Sequence, residues 1–249
     1  MSTPATTHQL PHRDTGARPP HTRAEKDAGP PSWIGPVAGT GGLLFVALLI
    51  LQNAIRGSGP ALAADPGEVA AYFADHRVAA VAPLVTFPLG MVAILCFAAG
   101  VCARAHATGA GRFWSFVGGG AVVVLAGLFG TVNLIEIAIA ARVGRFAAEP
   151  EVIAGLWTMH AAAFALNLAA IALALLALSR AALAAGLVPR ALTWVTAAGA
   201  VCLFVPALGA VLVVEGSGLL YLGFAGFAVW GVFLVWTGLA LLRGTGARA

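Results

Sequence analysis

Charge is what this sequence has least of. Only 10% of its 249 residues are Asp, Glu, Lys or Arg, against about 25% in an ordinary soluble domain. So few charges cannot cover a water-facing surface, which excludes a soluble globular fold. Lysine is almost missing, for the 14 basic residues are 13 Arg and Lys26 alone. No basic cluster interleaved with aromatics occurs. The net charge of +4 and pI near 9.5 therefore do not mark a nucleic-acid surface, and nucleic acid is excluded as a partner. Cysteine is scarce too. Cys96, Cys102 and Cys202 lie within apolar runs without C-x-x-C or zinc-type spacing, and they read as small core residues. The chain also lacks a G-x-S-x-G elbow, a Walker A loop, a dinucleotide-binding glycine pattern and an H-E-x-x-H helix. No cofactor and no metal is implied, and an enzymatic role has no motif to support it.

What the chain has instead is apolar length. Hydrophobic residues make up 60% of it and the mean hydropathy is +0.92. Six runs of about 20 residues or more are long enough to cross a bilayer as helices: 36–55, 78–103, 113–141, 152–178, 191–214 and 219–242. Residues 1–31 are a polar, proline-rich tail that cannot bury enough apolar surface to offset its ordering entropy, so it is expected to be disordered. His8, His12 and His21 fall in that tail with no rigid spacing for a metal. The transmembrane domain is then residues 32–249. The run 36–55 followed by Ala61-Leu62-Ala63 also has the outline of a cleavable signal peptide. The long tail before it and its polar end at Gln52, Asn53 and Arg56 favour a retained span.

Between the first two spans, Asp65 is a good helix cap, Pro66 suits the first helical position and Glu68 follows three residues after the cap. Val69, Tyr72, Phe73 and His76 then recur at helical spacing, opposite Glu68 and Asp75. This predicts a short amphipathic helix on the membrane surface or over the bundle mouth. The fold class is an all-α membrane protein: six transmembrane helices, with that short outer helix between the first and the second. Pro83, Pro88 and Pro206 bend their spans. Gly120 and Gly127, two turns apart, predict a close-packing seam on the third.

With the tail inside, the inner segments hold ten basic residues and the outer ones four, Arg56, Arg77, Arg142 and Arg145. The positive-inside rule then places both termini in the cytoplasm and the chain in the cell (inner) membrane, crossing it several times.

A few polar residues fall at membrane depth, where ionisable groups are costly and by default mark a site. Asn133 and Glu136, three apart, share one helix face. Trp157, His160 and Asn167 share another. Folding the hairpin near residues 146–147 sets Asn133 level with His160 and Glu136 level with Trp157, across a loop at 142–151. Three readings stay open for this cluster. It is a hydrogen-bonded network that fixes helix packing, as in a structural or accessory subunit of a membrane complex bound to a membrane-protein partner. Or it is an outer-leaflet polar pocket that binds or passes a small-molecule ligand or protons, with His160 able to change charge near neutral pH. Or Glu136 and His160, with His76 or Glu215, hold a metal for a membrane-embedded enzyme, for which three ligands are needed.

Leu156-Trp157-x-x-His160, an apolar helix, Ala185-Gly186-Leu187-Val188-Pro189-Arg190-Ala191-Leu192 and a further helix with Gly199 resemble a family of small six-helix bacterial integral membrane proteins grouped as a domain of unknown function. That family often places a Leu-His pair on the fourth helix, whereas Met159 precedes His160 here. The resemblance implies architecture and assigns no activity to any residue. The Gly186–Arg190 segment itself reads as a helix stop, a turn and a cationic anchor.

Overall fold

The computed structural model describes residues 31–57, 59–146 and 148–244. The predicted tail, but for Pro31, and its three histidines lie outside the described residues. The described chain is helical, in the order α1 (Ile34–Arg56), α2 (Pro66–Asp75), α3 (Arg77–Ala105), α4 (Gly109–Phe146), α5 (Pro150–Ala184), α6 (Arg190–Leu208), α7 (Ala210–Val214) and α8 (Leu219–Leu242). Six of these, α1, α3, α4, α5, α6 and α8, are long and apolar enough to cross a membrane. They alternate in direction and close into a ring, α1–α3–α4–α5–α6–α8 and back to α1. Helix α5 also reaches α3 and α8 across the ring, and 67% of its apolar window is buried, the largest share of the six. Large apolar side chains cover the outside: Val78, Val85, Val123, Leu134, Val201 and Val211 are each more than half exposed.

The helix ends depart from the sequence reading. The expected loop at 142–151 is mostly helix, because α4 runs to Phe146 and α5 begins at Pro150. Charge near an end is compatible with helix when its sign matches the helix dipole. Arg145 lies in the last turn of α4, and Glu151 in the first turn of α5 behind a proline at the start. The expected fifth span is divided into α6 and α7 at Gly209. Pro206 has already removed one backbone donor there, and a side chain on Gly209 would meet Leu219. The glycine seam is also elsewhere. A Cβ on Gly120 or Gly127 would meet nothing within 4 Å, so both residues face outward. On α4 the close approach is made by Gly118 instead, where a Cβ would lie 2.7 Å from Leu178 Cδ2 of α5, and α1 makes two more: a Cβ on Gly39 would lie 2.6 Å from the Gly238 carbonyl oxygen of α8, and one on Gly41 2.6 Å from the Ala93 carbonyl oxygen of α3. Small residues at these two points seat α1 between its neighbours. At Gly186 the stop is a left-handed cap, with φ +69° and the Leu187 N–H donating to the Ala182 carbonyl.

Length mismatch positions the site. At about 1.5 Å per residue, α1 with 23 residues spans ~35 Å, while α4 with 38 spans ~57 Å. The last turns of α4 and the first of α5 therefore overshoot the end of α1. Residues 59–65 and α2 fill that step. Asp65 accepts the Glu68 N–H and caps α2. Val69 and Phe73 are buried against Ile135, Ile139, Ile153 and Trp157 in a small core separate from the main one, while Glu68 and Asp75 stay exposed. Helix α2 thus packs over α4 and α5, and α3 follows directly after His76.

Candidate functional site

Arg56 is the last residue of α1, and the step in helix length sets its guanidinium level with a carboxylate on α4. Its Nη2 lies 2.6 Å from Glu136 Oε2. The other oxygen, Oε1, lies 2.9 Å from His160 Nε2 on α5. Glu136 and His160 are 3% and 4% exposed at their side chains and Arg56 36%. A buried carboxylate is costly without a partner; here one cation and one imidazole each engage one of its oxygens. Arg56 and ionised Glu136 cancel in charge. With Glu136 ionised, His160 donates through Nε2–H. The other ring nitrogen, Nδ1, is buried with no hydrogen-bond partner.

The surroundings hold these groups in place. The Trp157 indole stacks on the His160 ring, with 4.2 Å between centroids and 6° between planes. Its Nε1–H donates to the Ala61 carbonyl at 2.9 Å, tying residues 59–65 to α5. Phe73 of α2 meets Trp157 edge-on at 6.4 Å. The Tyr72 hydroxyl donates to the Arg56 carbonyl at 3.0 Å, at the open end of α1. Burial pushes the Tyr72 phenol above its usual pKa, with Arg56 opposing and Glu136 adding to the rise.

Arg56, Glu136, His160 and Trp157 form one wall of a cavity of about 270 Å³ at the α2 end. A second cavity, of about 230 Å³, lies further along the bundle and shares Asn53, Arg56, Phe164 and Phe224 with the first. The two make a column lined chiefly by α1, α3, α4, α5 and α8. From α5 the lining is Trp157 and His160 beside the first cavity, Phe164 beside both, and Asn167 and Ile171 beside the second. From α4 it is Glu136 beside the first, then Asn133, Phe129 and Leu125 beside the second.

The structure thus brings together Glu136, His160 and Trp157 but sets Asn133 and Asn167 apart from them. The hairpin turns later than residues 146–147, so Glu136 meets His160, and Asn133 donates to the Phe129 carbonyl of its own helix. Arg56, read from sequence only as a charge outside the membrane, is the residue that reading missed. Its signal was its place at the end of an apolar helix in a chain whose buried Glu136 needed a cation. The metal reading finds no support in the geometry: among the described residues no three His, Cys, Asp or Glu converge, and the Glu136 carboxylate is already engaged. Comparison with family models, with curated proteins and with solved structures finds no match for the chain.

Proposed function

We propose that this chain is a multi-pass integral protein of the cell (inner) membrane that binds a small ligand in the column entered from its α2 end. The apolar exterior and the six long helices support insertion. The excess of Arg and Lys at the opposite end supports cytoplasmic termini, and pairing of Arg56 with Glu136 removes one charge from the minority side. On this reading α2 is the short amphipathic outer helix, roofing the site. The likeness carried by the Gly186–Arg190 segment belongs to the same proposal and adds architecture alone.

The observation that carries the binding reading is a hydrogen-bonded Arg56–Glu136–His160 chain in a cavity wall, with Glu136 and His160 buried and Arg56 at its more open end. Binding is favoured over translocation because the polar lining stops at Asn167. Below Ile171, Leu175 and Leu178 on α5 are fully buried in the apolar core.

Accessibility tests this. In a chain with Cys96, Cys102 and Cys202 replaced by Ala, Asn53→Cys should react with an impermeant methanethiosulfonate reagent added outside intact cells. A cysteine at Ile171 should resist it. No reaction at residue 53 from outside would contradict the open pocket. It would favour the second reading, in which Glu136 serves only to tie α1 to α5 in a structural or accessory subunit. That reading has its own observation: both carboxylate oxygens are engaged by protein groups.

A further inference from the structure

The deeper cavity is offered two uncommitted polar atoms of opposite kind, one from each of two facing helices. Asn167 on α5 is 2% exposed and lines the cavity. Its Oδ1 is sealed inside the protein, so the atom it turns to the space is the Nδ2 donor, which has no acceptor among the described residues. Asn133 on α4, 6% exposed, has the reverse arrangement. Its Nδ2 donates to the Phe129 carbonyl. Its Oδ1 takes no donor among the described residues and is not sealed off, so it is left for the cavity. Unpaired buried polar groups are unfavourable. Here one lacks an acceptor and the other a donor. Asn133 lies three residues inward of Glu136, and Asn167 seven inward of His160. Since Glu136 meets His160, the two amides differ in level by four residues, or about 6 Å. Two hydrogen bonds of about 2.9 Å on either side of one small group cover that distance. The rest of the wall is mostly apolar and rich in rings: Phe45, Phe129, Phe164, Phe224 and Phe227 face the space. Rings favour an aromatic guest by edge-to-face and offset contacts. A dry cavity of about 150 Å³ takes benzene, so about 230 Å³ accommodates a ring with a short substituent. Arg56 is the one ionisable residue in this lining, and Glu136 cancels its charge. A guest of either sign would lose its hydration without gaining a counter-charge, so the guest is neutral.

We infer that this compartment binds a neutral aromatic carboxamide, its ring among the phenylalanines, its carbonyl accepting from Asn167 Nδ2 and its N–H donating to Asn133 Oδ1. A carboxamide is the smallest neutral group that supplies both missing partners at once. The inference deepens the ligand-binding reading by naming the class of guest, and it rests on that reading for the route in from the α2 end.

The test uses the full-length protein in lipid nanodiscs and three probes of nearly the same shape: benzamide, acetophenone and isopropylbenzene. Their side groups offer a carbonyl with an N–H, a carbonyl alone, and neither. Affinity is read from the saturable rise in melting temperature and referred to each probe's concentration in the lipid. Each neutral hydrogen bond should add about five- to tenfold, so benzamide should bind more tightly than acetophenone, and acetophenone more tightly than isopropylbenzene, each by that factor. Asn167→Leu should erase the advantage of acetophenone over isopropylbenzene, and Asn133→Leu that of benzamide over acetophenone. The order in the wild-type protein needs neither variant, so it decides the matter if one fails to fold. Equal binding of the three overturns the inference, as does an order that Asn167→Leu leaves intact. So does binding of none, the result for a cavity that holds only water. Any of these failures, with Asn53→Cys still labelled from outside, leaves the outer pocket standing. The expected order with residue 53 unlabelled keeps the carboxamide site and removes only its route.

Discussion

Glu136 presents two oxygens, one to a guanidinium on α1 and one to an imidazole on α5. Removing it leaves both partners without an acceptor. Breaking a fully buried ion pair costs about 3–5 kcal/mol, and the 36% exposure of Arg56 lowers that through solvent screening. Glu136→Ala should therefore destabilise the purified protein by about 2 kcal/mol. Glu136→Gln should cost less. The glutamine oxygen can still accept from Arg56, and its amide can donate to His160 once the imidazole shifts its proton to Nδ1. Thermal denaturation in one detergent checks the order, and an alanine variant as stable as the glutamine one contradicts it. Trp157→Phe keeps an aromatic ring against His160 but loses the hydrogen bond to Ala61. It should cost about 1 kcal/mol and speed proteolysis within residues 59–65, measured by limited digestion.

The elements show what the sequence could and could not reveal. The six apolar runs were legible because crossing length and composition are local properties. The cap at Asp65 was legible because capping is local too. The helix ends were not, since Arg145 and Glu151 read equally as loop charges or as residues matched to the helix dipole. Packing glycines were the least legible. A glycine seven residues from another looks the same whether it faces a neighbour or open space. Gly41→Ala would place its Cβ 2.6 Å from a backbone oxygen that cannot rotate away, and should destabilise by about 1–3 kcal/mol. Gly120→Ala meets nothing and should be neutral or stabilising by up to about 1 kcal/mol. Melting curves of the two variants side by side separate the seam on α1 from the expected one on α4.

At the scale of the molecule, a short first helix set across the bundle from two overlong ones creates a step, and the step creates the site. Arg56 reaches Glu136 because α1 stops where α4 continues. Nothing in the local sequence around residue 56 or residue 136 encodes this, since it depends on how three helices are offset along the bundle. Residues 59–65 and α2 then roof the step with the small core around Phe73. Everything proposed for the column depends on that offset. The most direct test is a double-mutant cycle on Arg56→Gln and Glu136→Gln, with stability as the readout. Contact between the two side chains predicts that the double variant loses at least about 1 kcal/mol less than the sum of the single losses. Strict additivity of the two losses would show that the side chains do not meet, and the account of the site would be wrong.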